Sequence, residues 1–244
     1  MSLVLTTVTA DSNASTPWFD AMGEMGHSHY YVVANEGRGV VEGLQVCWEY
    51  ARSFEHPYSV LAVVHNDVEV LDPAWRDRVV AEFTDPQVAI VGFGGALGIG
   101  LPEIYKVPYS INQLQRRLYM SNQTDWQVHG TQETGARDVA VIDGFFMAIR
   151  MSFLDEVKGW SWFPFNFHCY DTCMCLMALR RGYRVRMAGV ECTHHGGGTS
   201  TKAVYNDWCK VHGTTPELEH SEPHRWMFRE FSDLLPLWVK EGGK

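Results

Sequence analysis

The sequence predicts an α/β fold with a mixed, mostly parallel central sheet flanked by helices, and three observations carry that expectation. The run Ser59–Val64 is continuously apolar and β-branched and stops at His65-Asn-Asp-Val-Glu69, as a central strand covered on both faces does. Strand and helix periods alternate before it: Leu3–Thr9 and Tyr30–Ala34 read as strands, and Val40, Leu44, Cys47, Trp48 and Ala51 recur at helical spacing. The 244 residues, 45% of them hydrophobic, suffice for one sizeable core. We therefore expect residues 1–244 to form a single domain.

Bulk properties narrow the function. A net charge of −9 argues against a general polyanion binder, because nucleic-acid affinity rests on Lys and Arg neutralising phosphates. The first residues lack a basic segment followed by a long apolar one, and no apolar run approaches a membrane span, so a cytoplasmic location is expected. Six cysteines in such a compartment are expected to be reduced. Cys169, Cys173 and Cys175 beside His168, with Cys192 and His194 later, invite a zinc reading. Their spacing lacks the paired C-x-x-C knuckles of structural zinc sites, which favours buried small thiols.

The remaining elements follow in order. Asn35-Glu-Gly-Arg-Gly39, between a strand and a helix, resembles a phosphate cradle only loosely, and a P-loop is excluded because Gly-Lys-Ser/Thr is absent. Trp18–Met25 reads as a short helix, and Asp72–Phe83 as a helix with an N-cap and a first-turn proline. Val88–Phe93 is a strand, and Gly92–Gly100 is glycine-rich. Leu101–Arg137 has no strong period and is the expected place for a lid or binding loops. Val139–Ile142 and Phe145–Arg150 read as strands, Ser152–Val157 as a short helix, and Gly159–Phe167 as an aromatic loop. Asp171–Arg181 is a helix stopped by Gly182, with strands Tyr183–Met187 and Val190–Cys192 after it. Ala203–His212 and Arg225–Val239 close the chain as amphipathic helices.

Several of these residues have two readings. Asp67 and Glu69 either hold a divalent cation at a strand end, which in turn holds a diphosphate, or are solvated loop carboxylates. Asp171, at its helix start, reads as an N-cap. Trp160 and Trp162 either stack on a sugar or form a hydrophobic cover. His194 and His195 lie in a glycine-rich segment, where simple exposure is expected.

Three motifs in this order resemble the family 2 glycosyltransferases of the GT-A (Rossmann-like) fold, in particular their rhamnosyltransferase-like branch. They are the buried strand ending His65-Asn-Asp-Val-Glu69, the strand ending Asp143-Gly144, and Tyr170-Asp171 opening a helix that stops at Gly182-Tyr-Arg-Val; His194-His-Gly-Gly-Gly follows. The resemblance runs from about Tyr30 to Ser200. It implies a transferase that moves a sugar from a nucleotide-diphosphate sugar to an acceptor hydroxyl with Mn²⁺ or Mg²⁺, through a nucleotide-sugar and metal half in 1–95 and an acceptor half in 96–204, with 205–244 as C-terminal helices. It places Asp67, His194 and the additional Glu69 at the metal, and Asp171 as the base of an inverting reaction. Thr7, Thr9, Asp11, Asn35, His65 and Asn66 become nucleotide-sugar contacts. Asp143, Gly144, Trp160, Trp162, Tyr170 and His195 line the acceptor and sugar. His65, Tyr170 and Cys173 depart from the family's usual acidic or Asn residues, which leaves a nucleotide-sugar binding protein without catalysis as an alternative. The acceptor is open among a glycan, a lipid-linked intermediate, a protein and a modified pyrimidine of phage DNA. The last would call on Arg116, Arg117 and Arg137.

Overall fold

The computed structural model describes residues 1–9, 30–34, 37–55, 58–100, 134–194 and 203–239, together with short strands between 102 and 128. The strands β1 (Leu3–Thr9), β2 (Tyr30–Ala34), β3 (Val60–Val64), β4 (Val68–Val70), β5 (Val88–Gly92), β6 (Gly94–Ala96) and β7 (Gly98–Ile99) form the first part, with helices α1 (Val40–Arg52) and α2 (Trp75–Glu82). Short strands β8 (Pro102–Glu103), β9 (Ser110–Ile111), β10 (Leu118–Met120), β11 (Asn122–Thr124) and β12 (Gln127–Val128) follow. Then come β13 (Arg137–Asp138), β14 (Val141–Ile142), β15 (Phe146–Arg150), α3 (Met151–Val157), α4 (Tyr170–Arg180), β16 (Arg184–Met187) and β17 (Cys192–His194). Helices α5 (Ala203–Val211) and α6 (Pro216–Glu230) and strand β18 (Leu237–Trp238) complete the described chain.

The main sheet has seven strands in the order β13-β16-β5-β15-β3-β1-β2. Strand β1 runs parallel to β2 and β3, and β5 runs parallel to β16. Strand β15 enters antiparallel between β3 and β5, which makes an otherwise mostly parallel sheet mixed. All five residues of β3 are buried, as the unbroken apolar run requires. Leu61 and Val63 pack into the cluster under α1, α3 and α4, while Val60, Ala62 and Val64 pack into the opposite cluster with Trp75 of α2 and Phe146. Burying each of the valine and leucine side chains contributes about 1.5–3 kcal/mol, so the strand that carries the site is held from both faces.

Several elements differ from the sequence expectation, among them the last helix, which ends at Glu230 and is followed by strand Leu237–Trp238, and the strand expected at Val190–Cys192, which forms over Cys192–His194. Helix α2 begins at Trp75 rather than Asp72, because Asp72 Oδ1 accepts from Ala74 N at 2.8 Å and closes a turn first. Of the Val139–Ile142 run only Val141–Ile142 forms a strand, β14, which leaves the main sheet to pair with β6, while β13 just before the run pairs with β16. The last helix starts nine residues earlier than Arg225, at Pro216 (225 − 216 = 9), where Thr215 caps it by accepting from Leu218 N. The helix expected at Trp18–Met25 lies outside the described residues. No helix among the described residues is long and apolar enough to cross a membrane.

Candidate active site

The site forms because β15 is antiparallel to β3. Pairing of Phe146 with Val64 sets the start of one strand beside the end of the other. His65 N donates to Phe145 O at 2.8 Å, so Asp143-Gly144 and His65-Asn-Asp67 lie side by side at the carboxyl edge of the sheet. The chain then turns tightly, with Val68 N donating to His65 O at 3.3 Å, and re-enters as β4. Strand β17 pairs antiparallel with β4, placing His194 opposite Val68 and therefore next to Asp67.

That arrangement gathers His65, Asp67 and His194. One ligand atom from each lies within 4.8 Å of the others, and all three residues are half-buried. Asp67 Oδ1 is 3.3 Å from His194 Nε2 and 4.0 Å from His65 Nδ1. Two donors on one ion at about 2.1 Å stand no more than ~4.2 Å apart, so both separations fit a shared divalent cation. Phe145 stacks on His194 at 5.2 Å between ring centres and 24° between planes, which fixes the orientation of that imidazole. Glu69, expected as a ligand, is not part of the group: it alternates outward on β4 between buried Val68 and Val70 and is exposed. His65, expected at the nucleotide sugar, takes the third place instead. Strand alternation carries the first reason; the tight turn at His65–Val68 carries the second.

Asp171 sits in the first turn of α4. Its Oδ2 accepts from Gly144 N at 2.8 Å and its Oδ1 from Thr172 N at 2.7 Å. Burial, and then the neighbouring Asp143 carboxylate, raise its pKa from 3.8 to about 6, while the two backbone N–H groups oppose that rise. Gly144 is what lets α4 approach: a Cβ there would lie 2.5 Å from the Tyr170 hydroxyl and 3.1 Å from Asp171 Oδ2. The preceding Cys169 adopts a left-handed conformation with φ 64°, uncommon for a non-glycine residue and concentrated at functional turns. Tyr170 is buried, and its hydroxyl lies 3.1 Å from His65 Nε2. Asp143 is exposed, with its Oδ1 accepting from Phe145 N at 3.2 Å.

Other expected contacts fall elsewhere. Trp160 is 1% exposed in the main core, its N donating to Gln45 Oε1 at 2.8 Å, so its indole is not open to a sugar. Trp162 stacks on Trp226 of α6 at 6.2 Å and donates to Gly159 O. Both tryptophans of the aromatic loop thus pack against the protein's own residues. Thr7 is fully buried in β1. Asn66 lies in the turn after β3, and the backbone of Thr9 ends β1. Asp11, Asn35 and His195, and with them the glycine loop after His194, lie outside the described residues, as do Arg116 and Arg117. All six cysteines are free and buried. Burial pushes the thiols of Cys47 and Cys192 up to about 12 and that of Cys173 well above its ordinary value, which makes them poor metal ligands at neutral pH.

A family model described as "Glycosyltransferase like family" matches residues 39–230, and so spans α1 through α6 with every residue of the site just built. The chain belongs to that family. No curated protein matches it. Among solved structures, A197 from STIV aligns with TM-score 0.54 at 14% identity, over 81% of this chain and 87% of that one. A structure of GalNAc-T7 with UDP, GalNAc and Mn²⁺ aligns with TM-score 0.53 at 10% identity, over 96% of this chain and 57% of that one. The mannosyltransferase PcManGT from Pyrobaculum calidifontis, in complex with GDP-Man and Mn²⁺, aligns with TM-score 0.51 at 12% identity, over 96% and 72%. The fold is that of the GT-A glycosyltransferases, and the protein is a glycosyltransferase. The match stands at that level and not at the rhamnosyltransferase-like branch.

Proposed function

We propose that this glycosyltransferase moves a sugar from a nucleotide-diphosphate sugar to an acceptor hydroxyl with inversion at the anomeric carbon, using a divalent cation held by His65, Asp67 and His194. The observation that carries the proposal is the convergence of a His-Asp-His cation group and the Asp171 carboxylate at one sheet edge. The neighbours that hold UDP with Mn²⁺ and GDP-Man with Mn²⁺ support the donor class. Two imidazoles and one carboxylate suit Mn²⁺ better than Mg²⁺, which favours an all-oxygen octahedron and keeps its waters.

When bound, the cation supplies positive charge opposite the departing diphosphate. His194 and His65 hold their nitrogens toward that position, and Phe145 keeps the His194 ring from turning. Asp171 accepts the proton of the acceptor hydroxyl as its oxygen bonds to the anomeric carbon and the carbon–oxygen bond to the diphosphate breaks. Each Asp171 oxygen already accepts one backbone N–H and retains a second acceptor site for that hydroxyl. Asp143 raises the proton affinity of Asp171 and so strengthens it as a base. Family membership and the retained carboxylate favour catalysis over donor binding alone.

A thermal-shift panel of nucleotide-diphosphate sugars with and without Mn²⁺ tests this reading. One donor should raise the melting temperature only when Mn²⁺ is present, by the linkage of ligand to the folded state. Equal stabilisation without the metal, or no stabilisation by any donor, overturns it.

A further inference from the structure

Tyr170 stands where the family resemblance places an acidic residue, and its surroundings give that departure a role. The side chain is 8% exposed. Its hydroxyl is lodged over Gly144, where a Cβ would come within 2.5 Å of it. From there it meets His65 Nε2 at 3.1 Å, while the other ring nitrogen, Nδ1, faces Asp67 Oδ1 at 4.0 Å.

A neutral imidazole carries one proton, and the nitrogen that bears it cannot ligate a cation. For Nδ1 of His65 to serve, Nε2 must keep the proton and must find an acceptor in this half-buried position. The Tyr170 oxygen is within hydrogen-bond distance of it. A phenol also performs this task without charge. An ordinary phenol is protonated at neutral pH, its pKa being about 10.

We propose that Tyr170 is a positioning residue that accepts a hydrogen bond from His65 Nε2–H and thereby turns the Nδ1 lone pair of His65 toward the cation shared with Asp67 and His194. The proposal rests on the cation reading given above. It replaces the acidic neighbour of the general base by a group that acts on the metal side of the site, and so connects the first turn of α4 to the end of β3.

The test is a Mn²⁺ titration followed by electron paramagnetic resonance, on the wild type and on Tyr170→Phe, with circular dichroism to confirm folding. The expected result is wild-type binding at one site and an affinity about 10–100-fold weaker in Tyr170→Phe, the usual cost of losing such a partner. Equal affinity in the two proteins overturns the role of Tyr170 while leaving the cation site intact. Absence of Mn²⁺ binding by the wild type overturns the cation reading itself. Independently of any variant, ¹⁵N chemical shifts of the metal-free wild type at pH 8 should show His65 as the Nε2–H tautomer. The Nδ1–H tautomer overturns the proposal, including in the case where Tyr170→Phe does not fold.

Discussion

Two clusters of histidines lie among the described residues, and ring proximity does not tell them apart. His65 and His194 have ring centres 5.5 Å apart, while His168 and His220 are 5.3 Å apart and His220 and His224 4.5 Å apart. The difference is what their nitrogens face. In the first cluster two ring nitrogens flank Asp67 Oδ1. In the second, His168 Nε2 meets the Tyr205 hydroxyl at 2.9 Å and His224 Nδ1 donates to His220 O at 2.6 Å. Among the described residues only the first brings three metal-ligating groups within 4.8 Å. Burial, followed by the neighbouring histidines, lowers the pKa of His168 to about 4, and burial lowers those of His220 and His224. One cluster is therefore built around a carboxylate at a strand end, and the other is a packing contact in which α5 and α6 close over the 167–168 segment.

The largest expected effect separates the clusters directly. Asp67→Ala removes the carboxylate and should lower sugar transfer by about 10²–10³-fold, corresponding to the several kcal/mol a cation contributes to a charged transition state. His220→Ala should leave Mn²⁺ affinity unchanged. Comparable losses of Mn²⁺ binding in both variants, measured by isothermal titration, would erase the distinction.

Asp171→Asn comes next, with an expected loss in turnover of about 10²–10⁴-fold and unchanged Mn²⁺ affinity. Its ionisation also bears on stability. A carboxyl whose folded pKa is raised from 3.8 to about 6 contributes stability that is present below 3.8 and lost as pH rises through 6. Asn would not recover that stability at pH 7.5, because its amide offers one carbonyl oxygen where Gly144 N and Thr172 N each need an acceptor. Activity of the wild type should rise with pH through about 6; turnover that does not change with pH across that value contradicts this account of the base.

The smallest effect belongs to the second cluster and concerns stability alone. The folded pKa of His168 lies below its ordinary 6.5, so the unfolded chain takes up the proton first. Its contribution is fully present above 6.5 and is lost as pH falls toward 4. Urea unfolding at pH 7.5, 5.5 and 4.5 should show a steeper loss for the wild type than for His168→Asn, and parallel curves would remove His168 as the cause.

Much of this was legible in the sequence, and the part that was not has a physical reason. The buried strand β3, the metal carboxylate candidate Asp67 and the helix opened by Asp171 all follow from local patterns: an apolar run, its polar end, and a helix start. Glu69 stands outside the His-Asp-His group because a two-residue period turns it outward once β4 forms, and β4 itself is only three residues long. His65 comes beside Asp67 and His194 because the chain turns back at Val68, which no propensity announces. The aromatic loop could not be divided between sugar and core without α6, whose Trp226 packs against Trp162 from more than sixty residues downstream (226 − 162 = 64). Long-range pairing decided each of these cases, and a linear pattern does not contain it. For the same reason β14 leaves the main sheet although Val139–Ile142 reads as a continuous strand.

Pulsed electron paramagnetic resonance of the Mn²⁺-loaded chain tests the central claim most directly. Two distinct imidazole nitrogen couplings should appear in the wild type and in His220→Ala, and should be lost in Asp67→Ala. Bound Mn²⁺ without any nitrogen coupling, or couplings that vanish in His220→Ala and persist in Asp67→Ala, would contradict a cation site made by His65, Asp67 and His194.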